Sequence, residues 1–566
     1  MQSRESMIRR LREQVSKGTP VLIAGGGING IGLFRDLALQ GIPSILVEKG
    51  DFASGTTAAP SRLIHGGLRY LETGEFALVR ESVIERNHLL RNAPHLVKPL
   101  PVWVPAFNWL GGAWSAVLRF LKLTKTPGAK GIMVVKLGLM FFDWFGKGTQ
   151  VMPRHRLVPM SEARSRWPGL SPKVAAVAEY YDARLTHPER LALELIKDGE
   201  RDCPEAMALP YVSLAGHEDG KAVLRDELTG ETFKTTPQLV VNCAGAWADH
   251  VNRGLGISQR LMGGTRGSHL VMRRPDIARQ LGNGMFYFET HDFRACLVYA
   301  LDDELIILGA TDIRDENPDT VRCSDDEIDY LFGVLEEVLP GSNARKDEIV
   351  FAYAGIRPLP WSGEGATGAI SRDHALRNFE ADAARPFPVL TLVGGKWTTY
   401  RACAEQIADA VLARLGKSRR KSTLDAVIGG GVNLPGDAGS RHAMAAALAR
   451  GAGLDETIGQ TLLRRYGTTA QEVAEALSQE GGKALAGSAY LDGEIRWIIR
   501  NERVTRLSDI VLRRTLIPFE GAATPALLSA IADIAADELG WDKARSAEEI
   551  RAVTDHLRSR NRVPGL

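Results

Sequence analysis

The sequence is poor in cysteine, has no long hydrophobic run and carries little net charge. Its five cysteines are widely scattered without CxxC spacing, which excludes a zinc-ribbon pattern and a disulfide framework and favours a reducing compartment. No run reaches about 18 uncharged apolar residues, and residues 1–17 are polar and arginine-rich, so we expect neither a spanning helix nor a secretory signal. The formal net charge of +2 gives no field that would recruit nucleic acid.

The segment 21–48 predicts a strand, a glycine-rich turn, a helix and a second strand. Four apolar residues lead into Gly25, Gly27 and Gly30, which suit a tight turn, close approach of a pyrophosphate and close helix–strand packing. The helix N-terminus would then bind the anion. Glu48 ends the second strand, where a carboxylate accepts hydrogen bonds from an adenosine ribose and disfavours NADP. The pattern predicts a Rossmann-like dinucleotide site.

The rest of the chain predicts a second sheet and a helical C-terminal region. Residues 239–250 and 388–415 each repeat a buried strand followed by glycine, and we expect both to return to the cofactor. Short strands within 268–313 predict an antiparallel unit, and 324–339 predicts a helix. Residues 440–560 have a helical pattern almost throughout. The fold class is α/β, or α+β overall.

Two segments combine apolar and basic residues as membrane-surface segments do. Residues 4–17 predict a basic amphipathic helix that either touches anionic lipid or packs on its own domain. Residues 99–148 are rich in aromatic residues, with Arg119, Lys122, Lys125 and Lys130 interleaved. These aromatic residues either enter one leaflet of a membrane or fill the core between two domains, and both alternatives stay open.

Six further motifs follow the glycine turn in order along the chain. They are I-H-G-G-L-R-Y (64–70), T-R-G-S-H (265–269), G-A-T-D (309–312), G-I-R-P-L (355–359), S-R-D (371–373) and G-G-K-W-T-T-Y (394–400). Together they resemble the FAD-dependent, respiratory-chain-linked glycerol-3-phosphate dehydrogenases from residue 20 to residue 415, and residues 495–515 resemble the helical cap of that family.

The resemblance implies an FAD-binding domain of the amino-acid-oxidase type, an antiparallel substrate-binding domain and a C-terminal helical domain. The expected boundaries are 19–98 with 175–255 and 355–416 for FAD, 99–174 with 256–354 for the substrate and the membrane-contacting aromatic segment, and 430–566 for the helical domain. The implied reaction is oxidation of sn-glycerol 3-phosphate to dihydroxyacetone phosphate by hydride transfer to flavin N5. Quinone is the implied acceptor, at the cytoplasmic face of the membrane, and a homodimer is a further expectation. No metal is expected.

Two residues carry the chemistry that the resemblance implies. His269 is the candidate base, expected to have a near-neutral pKa, and Arg357 would stabilise the developing negative charge on the reacting oxygen. The candidate phosphate ligands are Arg69, Tyr70, Arg372 and Lys396, and a share of Arg357 in binding the phosphate stays open. Fixed cations suit a phosphate monoester because guanidinium groups bind its oxygens as forked donors.

The resemblance also assigns the FAD ligands. Gly25, Gly27, Asn29, Gly30 and Glu48 are expected at the ADP end, and Ser61, Arg62, His65 and Gly66 along the pyrophosphate or isoalloxazine. Gly395, Lys396, Trp397 and Thr398 are expected to begin the last helix, whose N-terminal partial charge would stabilise the reduced flavin.

Three alternatives remain for the function. The chain is a dehydrogenase for a related polyol phosphate such as a tetritol phosphate, an oxidase that uses oxygen, or a non-catalytic flavin-binding protein. His269, Arg357, Arg372 and Lys396 argue against the last, because a pure binding module does not need them. An NAD-dependent dehydrogenase is disfavoured because the cofactor segments near 240 and 394 would have no purpose in it.

Overall fold

The structure, a computed structural model, describes residues 4–68, 74–109, 132–148, 151–290, 294–363, 370 and 372–566. Its strands are β1 Thr19–Ala24, β2 Ser44–Glu48, β3 Leu63–Ile64, β4 Val97–Ala106, β5 Arg156–Val158, β6 Ala176–Leu185, β7 Met207–Pro210, β8 Val212–Glu218, β9 Lys221–Asp226, β10 Thr232–Thr235, β11 Pro237–Asn242, β12 Met262–Arg273, β13 Met285–Glu289, β14 Ala295–Ala300, β15 Leu305–Gly309, β16 Ile313–Arg314, β17 Ile349–Pro360, β18 Ala375–Phe379 and β19 Val389–Val393. Its α-helices are α1 Arg4–Lys17, α2 Ile28–Leu39, α3 Phe76–Asn92, α4 Ile132–Phe145, α5 Met160–Arg166, α6 Pro188–Asp202, α7 Ala248–Gly254, α8 Pro275–Leu281, α9 Asp325–Val338, α10 Tyr400–Arg414, α11 Ala438–Ala452, α12 Glu456–Tyr466, α13 Ala470–Glu480, α14 Asp492–Asn501, α15 Leu507–Asp509, α16 Pro525–Leu539 and α17 Lys543–Asn561. The candidate phosphate ligands Arg69 and Tyr70, and the basic residues between 119 and 130, lie outside these described ranges.

A six-stranded sheet carries the nucleotide-binding pattern. Its strand order is β18-β19-β11-β1-β2-β7, and all the strands from β19 to β7 are parallel. β1 therefore lies between β2 and the returning strand β11, with β19 beyond. The strands of 239–250 and 388–415 both join the sheet that contains β1, and their return to the cofactor stays a prediction. Helix α2 packs against β1, β2, α6 and α10.

A ten-stranded, mostly antiparallel sheet forms the second unit. Its main order is β16-β12-β15-β14-β13-β4-β6-β3, with β17 paired to β12 and β5 to β6. The predicted antiparallel strands within 268–313 are confirmed. The expected boundary at 355 falls inside β17, and β6 lies in this sheet although its residues were assigned to the FAD unit. A continuous strand that pairs at both ends shows no break in its residue pattern where the domains meet.

Helix α1 packs on its own domain. Met7, Ile8 and Leu11 are buried against the sheet region, and the Arg4 guanidinium lies 2.7 Å from an Asp226 carboxylate oxygen. The packing alternative for 4–17 is therefore confirmed, and the buried apolar side chains are not exposed to lipid. These three buried side chains place the apolar face of the helix against the rest of the protein.

Helix α4 is apolar on two opposite faces. The inner face consists of Ile132, Val135, Leu139 and Phe142, all buried. The outer face consists of Met133, Leu137, Met140 and Trp144, which are 48%, 56%, 54% and 65% exposed. Trp103, by contrast, is fully buried against Trp167 and Phe286, so the aromatic segment is divided between a core and an exposed surface.

The C-terminal region is a separate helical domain, as predicted. Helices α11 to α17 enclose a core that includes Tyr466, Trp497 and Ile531. After α15 the chain makes one π-helical turn, Ile510–Arg514. Within the described ranges, every helix is too short or too polar to cross a bilayer.

Candidate active site

The glycine turn after β1 has the geometry that its residues predict. Gly25 has φ +111°, and a Cβ there would lie 2.6 Å from the Cys243 carbonyl oxygen. A Cβ at Gly30 would lie 2.1 Å from the Gly25 carbonyl oxygen. Gly27 is the N-cap of α2 and supplies no side chain to cap it. The Ile28 N–H in this first turn donates to the Thr57 hydroxyl at 3.0 Å, and no N-cap side chain covers the turn. A helix N-terminus of this kind suits an anion.

Glu48 braces this turn from the end of β2. One carboxylate oxygen accepts from the Gly26 N–H at 2.7 Å, and the other accepts from the Gly50 N–H at 2.9 Å. Burial raises the pKa of Glu48, and the two backbone hydrogen bonds oppose that rise. The carboxylate therefore holds the glycine turn itself, a role that the ribose interpretation did not include.

The last cofactor segment lies directly against the first. The Trp397 indole N–H donates to the Thr57 carbonyl at 3.1 Å, and the His65 N–H donates to the Thr398 hydroxyl at 3.2 Å. A Cβ at Gly395 would lie 2.5 Å from the Asn29 amide nitrogen. Three expected FAD segments far apart in sequence thus meet at one place.

Helix α10 begins later than the sequence suggested. It starts at Tyr400 with Thr399 as its N-cap, so Gly395, Lys396, Trp397 and Thr398 precede the helix instead of forming its first turn. Gly394 and Gly395 have φ +85° and +105°, values that a right-handed helix does not contain. The prediction that these four residues begin the helix is therefore wrong.

His269 and Ser61 form a hydrogen-bonded pair in the interior. The distance from His269 Nε2 to Ser61 Oγ is 2.7 Å, and the imidazole stacks on the Tyr353 ring with centroids 4.9 Å apart. Burial, with Arg357 as a second cause, lowers the pKa of His269 to about 3. The expected near-neutral pKa is wrong for the substrate-free protein, and the imidazole is neutral at physiological pH.

Arg357 and Arg372 share one carboxylate. Arg357 Nη1 lies 3.1 Å from Asp312 Oδ1, and Arg372 Nη2 lies 3.4 Å from Asp312 Oδ2. Arg357 also donates to the Thr311 carbonyl at 3.1 Å. The two guanidinium groups are thereby held on the two oxygens of a single side chain, which fixes their separation.

Asp312 was not among the residues predicted for the site. It stands in the G-A-T-D motif at 309–312, so the motif was a signal, but its carboxylate had no assigned role. A buried acid anchors the neighbouring residue: the Thr311 hydroxyl donates to Glu327 at 2.6 Å, and the Ser268 hydroxyl donates to the same oxygen at 2.8 Å. The segment that carries Asp312 is therefore tied to the residue before His269.

The loop that contains His65 and Gly66 is wedged between the cofactor segments and α4. The Gly66 N–H donates to Asp182 at 2.9 Å, and a Cβ at Gly66 would lie 2.2 Å from the Phe142 ring. Burial lowers the pKa of His65. The inner face of α4 therefore rests on a segment expected to line the flavin.

Arg62 points away from the other expected FAD ligands. Its guanidinium donates to the Thr186 carbonyl at 2.6 Å and lies 3.6 Å from the centre of the Phe519 ring in the C-terminal region. Both contacts belong to a boundary between parts of the chain. The described structure therefore brings Ser61, but not the Arg62 side chain, to His269.

Family models and curated relatives cover nearly the whole chain. Residues 20–410 match the FAD dependent oxidoreductase family, and residues 423–546 match the C-terminal domain of alpha-glycerophosphate oxidase. A glycerol-3-phosphate dehydrogenase of Synechocystis sp. is 30% identical over 582 residues, which cover 98% of this chain and 99% of that protein. The chain belongs to the family of FAD-dependent glycerol-3-phosphate dehydrogenases.

A second curated relative and a solved structure are also similar to this chain. A D-erythritol 1-phosphate dehydrogenase of Brucella abortus is 30% identical over 508 residues, 88% of this chain and 93% of that protein. The crystal structure of a glycerol-3-phosphate dehydrogenase from Bacillus halodurans, complexed with FAD, aligns with a TM-score of 0.75 at 22% identity. That alignment covers 99% of this chain and 98% of the crystallised one, so the two share the complete fold, C-terminal domain included.

FAD is the cofactor of this protein, and the described residues at the expected site are suited to bind it. The N-terminus of α2, which has no N-cap side chain, and the glycines at 25 and 27 suit the pyrophosphate. The side-chain amide oxygen of Asn29, Oδ1, is buried and has no hydrogen-bond partner among the described residues, as expected of a group that binds a ligand. Hydrogen bonds link the segments at 57, 65 and 398 to each other, and Thr57 also accepts from the first N–H of α2.

Proposed function

We propose that the protein oxidises sn-glycerol 3-phosphate to dihydroxyacetone phosphate and passes the electrons to quinone. The observation that carries the proposal is the pair Arg357 and Arg372, held on Asp312 beside the segment that bears His269. Two forked guanidinium groups suit a phosphate monoester and a reacting oxygen, and a neutral imidazole has a ring nitrogen that can accept a proton.

Each polar side chain of the site has its own role in the proposed reaction. His269 is neutral, so its ring has a lone pair for the proton of the substrate hydroxyl, and a nearby phosphate dianion would raise its pKa towards the value that a base needs. Arg357 stabilises negative charge on the reacting oxygen, and Arg372 with Lys396 binds the phosphate. FAD, when bound, accepts the hydride from the carbinol carbon.

Anaerobic addition of sn-glycerol 3-phosphate to the FAD-loaded protein tests the reaction. We expect rapid bleaching of the flavin absorbance, no bleaching with glycerol, and slower bleaching with erythritol phosphate. If only the four-carbon phosphate bleaches the flavin, the fold and cofactor stand and the substrate is wrong. If no polyol phosphate bleaches it, the proposed function is wrong.

Lys396 predicts a pH dependence of substrate binding. Burial, opposed by Glu75 and assisted by Arg372, lowers the pKa of Lys396 to about 7. Because the ammonium form is lost as pH rises through 7, KM for sn-glycerol 3-phosphate is expected to rise about tenfold between pH 6.5 and 8.5. Steady-state kinetics across this range measure the effect. Lys396→Arg, which keeps its charge, should remove the inflection, and an unchanged inflection in Lys396→Met would contradict the assignment.

We also propose that α4 holds the protein on the inner face of the cell membrane. Its outer face presents four large apolar side chains on one stripe, and its inner face contacts the loop at Gly66. A helix with this exposed stripe suits insertion into the lipid interface. Quinone is dissolved in the same membrane, so an attachment next to the expected flavin loop shortens the path between flavin and acceptor.

Leu137→Glu is expected to reduce binding to vesicles of phosphatidylglycerol and phosphatidylcholine at least fivefold in a sedimentation assay, since a carboxylate in the stripe opposes insertion. Val432→Glu is the control, because Val432 is also exposed, at 38%, but lies outside α4. Equal vesicle binding by wild type and Leu137→Glu would refute the attachment. Bleaching by substrate should be unchanged in both variants.

A further inference from the structure

The C-terminal domain forms buried ion pairs with the turn that follows β2. The Asp51 carboxylate is fully buried and accepts from Arg514 Nη1 at 2.6 Å and Nη2 at 2.8 Å. It also accepts from Arg513 Nε at 2.5 Å. Both arginines belong to the π-helical turn of the C-terminal domain, more than 460 residues along the chain.

Asp51 belongs to the turn that shapes the ADP end of the FAD site. Its neighbour Gly50 donates to Glu48, and the Ala53 N–H donates to the Gly26 carbonyl at 2.9 Å. A Cβ at Gly26 would lie 2.9 Å from the Phe52 ring. The residues on both sides of Asp51 thus contact the glycine turn, so a shift of Asp51 would be transmitted to it.

The arginines are themselves fixed from several sides. Arg514 donates to the Glu502 carbonyl at 2.9 Å, and Arg513 donates to Asp509 at 2.7 Å. Asp509 in turn accepts from the Tyr211 hydroxyl at 2.5 Å, next to β8. A buried carboxylate with fixed cations on both oxygens has one low-energy position, and removal of one partner leaves an uncompensated buried charge.

We propose that Arg513 and Arg514 are positioning residues for FAD, which act through Asp51. They hold the turn at 48–53 in the shape that receives the ADP end of the cofactor. Docking of the C-terminal domain and retention of FAD are therefore coupled, and each stabilises the other. The proposal rests on the cofactor alone and does not depend on the identity of the substrate.

Release of FAD from the loaded protein tests this coupling. Dilution series read by free-FAD fluorescence give Kd for wild type, Asp51→Asn and Arg514→Lys. We expect Kd to rise at least tenfold in both variants, because the amide loses two charged bonds and lysine loses the forked contact. Arg465→Lys is the matched control. It weakens a largely buried pair, with Glu494 at 3.0 Å, that lies within the C-terminal domain.

A merely structural role predicts a different pattern. It would lower Tm in all three variants and leave Kd for FAD within twofold of wild type, and that result would overturn the proposal.

A second measurement is the rate at which a protease cleaves the connection 416–440 with and without FAD. FAD should slow this cleavage in wild type and in Arg465→Lys, and should slow it less in Arg514→Lys. If Asp51→Asn does not fold, Arg513→Lys and Arg514→Lys alone decide the question.

Discussion

Arg357→Met is expected to slow reduction of the flavin by sn-glycerol 3-phosphate about 10³-fold. The guanidinium is held by the Asp312 carboxylate and the Thr311 carbonyl, so it is oriented before substrate arrives. A preorganised cation stabilises charge that develops on the reacting oxygen without reorientation, and methionine keeps much of the length without the charge. Stopped-flow measurement of flavin bleaching gives the rate directly.

Arg273→Met is the control for this prediction. Arg273 ends the neighbouring strand β12, where it pairs with the exposed Glu304, and it contacts none of the proposed site residues in the described structure. Its replacement should leave the rate within twofold of wild type. Arg357→Lys should recover part of the lost rate because the charge returns without the fork. A rate in Arg357→Met within tenfold of wild type would exclude the oxyanion role.

The elements that the sequence predicts well are those whose signal is local. The strand, glycine turn and helix from 19 to 39 follow from an apolar run and three glycines, of which Gly25 and Gly30 have no room for a Cβ. Helix α9 is equally readable, because Ser324 and Glu327 form a capping box at its start. These features depend on residues within a few positions of each other.

The parts that could not be predicted depend on distant partners. The pKa of His269 follows from burial between strands and from Arg357, neither of which its own neighbours reveal. Arg62 lies in an expected cofactor loop, yet Phe519 determines where its guanidinium goes. An arginine in a glycine-rich loop has the same appearance in sequence whether it faces a ligand or another domain.

The exposed stripe of α4 shows the same limit in a different form. The sequence shows that 99–148 is rich in aromatic and apolar residues. It does not distinguish Trp103 from Trp144, because both stand among apolar neighbours. The pairing of β4 with β6 buries Trp103, whereas Trp144 projects from the outer face of a helix. Only the tertiary structure separates core from surface here, and the membrane proposal depends on that separation.

Asp312→Asn is expected to lower kcat about 10²-fold while the affinity for sulfate, a dead-end dianion, improves. The carboxylate sets the distance between Arg357 and Arg372, and an amide offers one acceptor oxygen where the carboxylate offered two. Small displacements of catalytic groups cost about this factor. Removal of one negative charge meanwhile makes the site more attractive to anions, so rate and anion affinity should move in opposite directions.

Asp315→Asn provides the comparison for this split. Asp315 lies three residues along the same segment and pairs with Arg266 at 2.7 Å, but it does not contact Arg357 or Arg372 in the described structure. We expect its kcat to remain within threefold of wild type, with unchanged inhibition by sulfate. If Asp312→Asn lowers kcat without a gain in sulfate affinity, or keeps kcat within threefold, Asp312 does not position the two arginines. The opposite movement of the two constants is the result that a loss of folding cannot produce, because unfolded enzyme lowers the apparent kcat without changing the inhibition constant of the molecules that remain folded.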